Sequence, residues 1–242
     1  MYGNMGKILF VDLSTGKITI ETPEESLYRQ FIGGYGIGAK IIYDRQKPGV
    51  DPLGPDSYLG FTTGPLVGIK GLWGTRFMVV GKSPLTGSWG DANCGGYFGP
   101  TLKFAGFDAV FFTGISPKPV FLFINDGQAE LRDASHLWGK DVSDTEAALK
   151  AEFGRKAAVA CIGPAGEKQV LFAAVMHDTG CAAARNGLGA VMGSKKLKAV
   201  VAVGTGEVPV PDKQEVAECA EEILGMLEGD MYQTFHDYGT CG

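Results

Sequence analysis

The residues best placed to do chemistry lie between Lys82 and Asp108, in the stretch KSPLTGSWGDANCGGYFGPTLKFAGFD. Its first half is small and polar. Gly87, Gly90, Gly95 and Gly96 leave the backbone free to take positive φ, and Asn93 tolerates the left-handed region. Pro100 then suits a first helical turn, Leu102, Phe104 and Ala105 follow, and Gly106 is placed to end the helix. This order predicts a glycine-rich loop that delivers bare backbone N–H groups to a helix N-terminus, where unpaired donors and the helix dipole favour an anion such as phosphate. A tight structural turn is the plainer reading of any Gly-rich loop. Two features favour a ligand. Arg76 opens the apolar run Arg76-Phe-Met-Val-Val, where a lone charge in a strand is costly unless paired, and no acidic residue follows before Asp91. A similar layout also recurs between Thr179 and Gly189.

The elements that would position these residues come in a repeating order. Lys7–Asp12 and Lys17–Glu21, joined by Ser14-Thr-Gly, predict a β-hairpin. Pro23–Phe31 predicts a helix with Glu24 and Glu25 in its first turn. The run Gly33-Gly-Tyr-Gly-Ile-Gly imitates a dinucleotide fingerprint, but its spacing is GGxGxG and a helix, not a strand, precedes it, so that function is rejected. A helix over Ala39–Asp44, a Pro/Gly/Asp-rich connector from Pro48 to Asp56, strands at Tyr58–Thr62 and Arg76–Val80, and a strand from Asp108 to Thr113 complete the first unit.

From Lys118 the order restarts. A hairpin turns at Asn125-Asp-Gly, and a helix opens on a capping box of Ser143 and Glu146. Strands are expected at Ala157–Ile162 and Val170–Val175, then the small-residue loop, then the apolar run from Leu197. Gly64-Pro65 matches Gly163-Pro164, the Asn93–Gly99 loop matches Ala182–Gly189, and Asp108–Gly114 matches Lys198–Gly204. The expected fold is α+β, an internal duplication of β-sheets with helices packed on them, over about residues 5–115 and 118–205. Two like loops would suit a ligand with two similar anionic ends. An amphipathic helix, Asp212–Glu228, follows, with no closing element expected from Gly229 onward.

Composition narrows the class. In 242 residues, 45% are hydrophobic and 20% charged, which is ordinary globular material rather than a disordered chain. The net charge of −5 and the lack of a basic stripe argue against nucleic acid. The 37 glycines are about twice the usual share of roughly 7%, and their clustering suggests backbone brought close to a ligand. No apolar run reaches the roughly 20 residues that span a bilayer, and no secretory signal is visible, so the expectation is a cytoplasmic protein without a membrane partner. The five cysteines are scattered without a CxxC, so this stretch holds no zinc or iron–sulfur ligand set. Cys161 reads as a buried small hydrophobe, and His136, His177 and His236 do not form a metal set. His136 reads as structural or capping, whereas His177 and Asp178 lead into the second loop, within reach of a ligand there.

Several separate motifs carry a family resemblance: Met1-Tyr-Gly-Asn, Lys82-Ser-Pro-Leu-Thr-Gly, Ala92-Asn-Cys-Gly-Gly-Tyr-Phe-Gly, Leu102-Lys-Phe-Ala-Gly-Phe-Asp-Ala, Arg132-Asp-Ala-Ser-His-Leu-Trp-Gly-Lys, Ile162-Gly-Pro-Ala-Gly-Glu and Gly189-Ala-Val-Met-Gly-Ser-Lys-Lys-Leu-Lys-Ala. In this order they resemble the N-terminal domain of the aldehyde:ferredoxin oxidoreductases, tungsten enzymes with a bis-pterin cofactor and a 4Fe-4S cluster. The resemblance implies a duplicated base on which two pterins lie, over residues 1–210, with 211–242 beginning a helical domain. It places Arg76 between pterin and cluster, Asn93 and Gly95 at one pterin phosphate, and Cys181, Ala182, Ala184 and Arg185 in the second cofactor loop. It implies a magnesium ion bridging the phosphates through the backbone carbonyls of Asn93 and Ala182.

Cys181 stands where the family often has Arg, and Lys195 or Lys198 would have to supply the missing charge. The cluster cysteines and the catalytic acid/base residues of the family have no counterpart here, so the resemblance implies an incomplete piece that is inactive by itself, and no catalytic residue is named. For the complete enzyme it implies oxidation of an aldehyde to a carboxylic acid, with ferredoxin as electron acceptor and the C-terminal domains of the same enzyme as partners. A homo-oligomer is compatible with this, as is molybdenum in place of tungsten. The alternatives are part of a related aromatic acyl-CoA reductase and a non-catalytic pterin-binding module.

Overall fold

The computed structural model describes residues 1–227 and 229–239. In chain order the first half contains β1 (Ile8–Asp12), β2 (Lys17–Glu21), α1 (Glu25–Phe31), α2 (Tyr35–Arg45), β3 (Leu59–Thr63), β4 (Phe77–Lys82), β5 (Trp89–Cys94), α3 (Phe98–Phe104) and β6 (Ala109–Thr113). The second contains β7 (Val120–Asn125), β8 (Gln128–Asp133), α4 (Val142–Phe153), β9 (Ala158–Cys161), α5 (Pro164–Glu167), β10 (Val175–His177), β11 (Cys181–Ala183), α6 (Leu188–Ser194) and β12 (Leu197–Val203). Two further helices follow, α7 (Lys213–Met226) and α8 (Asp230–Tyr238).

Each half forms a 6-stranded sheet, ordered β2-β1-β6-β3-β4-β5 and β8-β7-β12-β9-β10-β11. The orders correspond strand for strand. Each sheet has one parallel pair, β1 with β6 and β7 with β12, and its other neighbours are antiparallel. The fold is therefore an internally duplicated α+β unit.

Alternation along the strands explains the layers. Leu9, Phe61, Val79 and Val110 of one sheet, and Leu122, Ala160, Val175 and Val200 of the other, face a shared interior that also takes Phe98, Leu102, Leu188 and Val191 from α3 and α6. The alternate residues Ile8, Val80 and Phe111 face outward under α1 and α2. Phe121, Val159 and Val201 face outward under α4. The molecule is thus layered helix, sheet, helix, sheet, helix. Central strands covered on both faces read as near-continuous apolar runs, as β6 does and as β12 does from Ala199 onward.

Several sequence expectations shift. Trp89–Cys94 is an edge strand rather than loop, because Ala92 and Cys94 point into the shared core. Residues 170–174 are irregular with a turn at 171–172, and β10 begins only at Val175. Helix α2 starts at Tyr35, inside the glycine run, four residues before the expected Ala39. The cap of α4 is Asp141, whose carboxylate accepts from the Asp144 N–H at 2.8 Å, so the Ser143–Glu146 capping box does not form. Asp212 caps α7 at the start of the expected helix, but α8 stands where no element was anticipated. Glu228 and Cys241 lie outside the described residues.

Candidate functional site

The edge strands β5 and β11 lie against each other where the two halves meet. Their ladders are in corresponding register. Phe77 pairs with Cys94 and Met78 with Asn93, as Val175 pairs with Ala183 and Met176 with Ala182. Asn93 and Ala182 therefore occupy equivalent positions on the two edges. The loops that leave these strands carry Gly95 on one side and Ala184 and Arg185 on the other.

Arg76 is not inside a strand. It precedes β4 and is exposed, so the expected penalty of a buried lone charge does not apply. Its Nε donates to the Asn93 Oδ1, and it forms no ion pair among the described residues. A Cβ on Gly95 would lie 3.5 Å from Arg76 Nη1, which places that glycine beside the guanidinium. Ala184 and Arg185 are exposed, and the Arg185 side chain has no hydrogen bond or ion pair among the described residues. Cys181 and Ala182 are half-buried.

The N-terminus of α3 is not an open anion seat. Phe98 N–H donates to His177 Nε2 at 2.9 Å, and Tyr97 N–H donates to Asp178 Oδ2 at 3.1 Å. The second half thus caps the helix of the first, and the dipole meets the Asp178 carboxylate. His177 is fully buried, with Nδ1 2.9 Å from the Val159 carbonyl. Asp178 Oδ2 also lies 2.8 Å from His177 Nε2. That contact would suit a charged ring, but burial pushes the imidazole below its usual range. The neutral tautomer, with the proton on Nδ1 toward Val159 and Nε2 accepting from Phe98, agrees with both the burial and the Phe98 bond. Asp178 is held in turn by Lys150, whose Nζ also meets the buried Glu146, and Glu146 accepts from Thr179 N–H at 2.8 Å. His177 and Asp178 consequently brace the two loops against each other instead of projecting toward a ligand.

The lysines expected to replace the charge missing at Cys181 do not reach it. Lys195 is buried and approaches the carbonyls of Gly54 and Gly114. Lys198 is buried on Glu167 and the Lys140 carbonyl. Cys94 is pushed up to about 12, first by burial and then by Cys181 nearby, so it is a neutral thiol. No group of three or more His, Cys, Asp or Glu among the described residues could hold a metal ion. The loops beside the two edge strands therefore carry two exposed guanidinium groups without an ion pair among the described residues, together with small residues and backbone, a set that suits an anionic ligand approached closely by the main chain.

Residue contacts also single out Tyr35, which sequence reading passed over with the rejected glycine run. Its hydroxyl accepts from Asn93 Nδ2 at 3.4 Å.

The duplicated sheet pair with its two edge loops defines the class of this domain. The model of the aldehyde ferredoxin oxidoreductase N-terminal domain matches residues 8–204, so the chain belongs to that family. A tungsten-containing aldehyde ferredoxin oxidoreductase of Thermococcus kodakarensis is 50% identical over 95% of this chain and 38% of its own length. The Pyrococcus furiosus protein of the same description is 48% identical over the same shares. An aliphatic sulfonate oxidoreductase, WOR-like subunit, of Pyrococcus furiosus is 35% identical over 99% of this chain and 40% of its own length. Among solved structures, the active site complex BamBC of benzoyl coenzyme A reductase, in complex with 1,5-dienoyl-CoA, superposes with a TM-score of 0.89 at 38% identity, over 93% of this chain and 35% of that one. The chain thus spans well under half the length of these relatives. No described helix is long and apolar enough to cross a membrane.

Proposed function

We propose that this chain forms the cofactor-binding base of a cytoplasmic oxidoreductase that carries a tungsten bis-pterin. The observation that carries the reading is the pair of exposed guanidiniums, Arg76 and Arg185, flanking equivalent small-residue loops where two homologous edges meet. A cofactor with two phosphate-bearing ends matches that pseudo-symmetry. Arg76 and the backbone at Gly95 would hold one phosphate; Ala184 and Arg185 would hold the other. The carbonyls of Asn93 and Ala182, at corresponding ladder positions, would share a magnesium ion between the phosphates. Cys181, half-buried beside Cys94, supplies no cation where the family often has Arg, which leaves Arg185 as the cation of the second loop.

When bound, the metal–pterin group supplies the two-electron redox chemistry. The chain's own residues bind it, orient it and hold charge against it. The catalytic acid/base groups and the ligands of a 4Fe-4S cluster would come from outside these residues, in C-terminal domains of the same enzyme. With them, the activity we favour is oxidation of an aldehyde to a carboxylic acid, passing electrons to ferredoxin. The close superposition on a benzoyl coenzyme A reductase complex supports a second reading, reduction of an aromatic acyl thioester on the same base. Residues 1–210 would be the cofactor domain, and α7 would open the next one.

The test is Arg76→Ala in the full-length enzyme, produced with tungstate and with molybdate. Metal and pterin content should fall several-fold. Circular dichroism, and the unfolding midpoint of the cofactor-free protein, should not change, because an exposed side chain that makes one hydrogen bond typically alters stability by no more than about 0.5 kcal/mol. Normal loading in Arg76→Ala would overturn the assignment.

A further inference from the structure

The glycine run that fails as a nucleotide fingerprint has a geometric use. A Cβ on Gly33 would lie 2.8 Å from Gly64 Cα and the Thr63 carbonyl oxygen, and one on Gly36 would lie 2.1 Å from the Phe31 carbonyl oxygen. Gly34 has φ of +49° and donates its N–H to the Thr63 carbonyl at 2.9 Å. Only glycines let the α1–α2 connection press this closely on the end of β3. The consequence is that α2 begins at Tyr35, a residue 45% exposed whose hydroxyl reaches Asn93.

Tyr35 joins a chain of hydrogen bonds with a defined direction. Arg76 Nε–H donates to Asn93 Oδ1, so the other end of that amide is the donor. Asn93 Nδ2 donates to the Tyr35 hydroxyl oxygen at 3.4 Å. The one proton of the hydroxyl is then left to be given outward, and among the described residues it has no other partner. We infer that Tyr35 is a further ligand-contacting residue, its O–H donating to the anionic phosphate end of the pterin that Arg76 engages, while Asn93 holds both side chains in register. This rests on the cofactor assignment made above and adds a specific donor to it.

Tyr35→Phe removes the hydroxyl and keeps the ring, so it tests the donor without disturbing α2. In the full-length enzyme, metal and pterin retained after exhaustive dialysis against inorganic phosphate should fall about 10-fold, the size of one charge-assisted hydrogen bond. The unfolding midpoint of the cofactor-free protein should stay at the wild-type value. Asn93→Ala should weaken retention too, and Tyr35→Phe should add little in that background, because the hydroxyl is no longer aimed. If Tyr35→Phe retains cofactor like wild type while Arg76→Ala does not, the Tyr35 inference is overturned and the cofactor site stands. Fully additive effects of Tyr35→Phe and Asn93→Ala would overturn the relay. If the wild-type protein carries no metal and no pterin under either metal supply, the assignment itself falls and takes this inference with it.

Discussion

The two halves share a strand order but fill one buried position with opposite charges. Aligned from α3 and α6 onward, Asp108 corresponds to Lys198, the one just ahead of β6 and the other the second residue of β12, and both are buried. Asp108 accepts from the N–H groups of Met5 and Gly6 at 2.9 and 2.7 Å and from the Tyr28 hydroxyl at 3.1 Å, and so ties the N-terminal segment down. Lys103, on α3, stands 3.9 Å from it and binds the carbonyls of Gly3 and Gly64. Lys198 does the reverse. It donates to the Lys140 carbonyl and to Glu167, and Glu167 accepts from Gly139 N–H. The same contrast appears on the next strands. Val79 of β4 packs in the core where its register partner in the second half, His177 of β10, caps α3. Duplication conserved the sheets; the polar contacts diverged wherever the two copies bind their own loops or each other.

The largest expected effect comes from breaking the inverted charge. Lys198→Met should cost about 3–5 kcal/mol, because Glu167 is left buried and short of its cation. The double change with Glu167→Gln should recover much of that loss. Denaturant unfolding measures both, and a single substitution that costs under 1 kcal/mol would show that the pair is not coupled.

His177→Val gives the second half the kind of residue the first already has. It leaves the Phe98 N–H buried without a partner, which costs about 1–3 kcal/mol. Hydrogen exchange should accelerate at Phe98 and in the Gly95–Gly96 loop. Unchanged protection there would mean that His177 does not brace the site.

The smallest effect is in the pH dependence. Burial lowers Lys103 and Lys195 from 10.5 to about 8. In the unfolded chain both stay protonated to higher pH, so the unfolded state binds more protons between pH 8 and 10.5, and stability rises with pH over that window. Burial of Cys94 and Cys161 raises both thiols to about 12, which opposes the rise once pH passes 9. Between pH 8 and 9, each lysine should therefore add about 1 kcal/mol. Lys103→Met should remove its share of that slope, and an unaltered slope would show that Lys103 is already charged at no cost in the folded state.

The hairpins, the repeat and the Gly106 helix stop were legible because they depend on neighbours in sequence: strand alternation, turn residues, and a backbone φ of +99° at Gly106 that favours glycine. The family motifs were legible for the same reason, being contiguous. What the sequence could not decide was where each polar group points. Arg76 looked like a buried charge because Phe77 to Val80 are apolar, yet the strand begins one residue later and leaves it exposed. The α3 N-terminus looked open because nothing nearby in sequence could cap it, and its caps come from His177 and Asp178, about 80 positions on. Lys195 and Lys198 looked free to serve the second loop, but the core claims both. Local pattern determined the elements and their order, because backbone propensity and side-chain alternation act over a few residues. Only the packing of one copy against the other decided which donors and charges were spent inside the fold and which, at Arg76, Arg185 and Tyr35, were left at the surface.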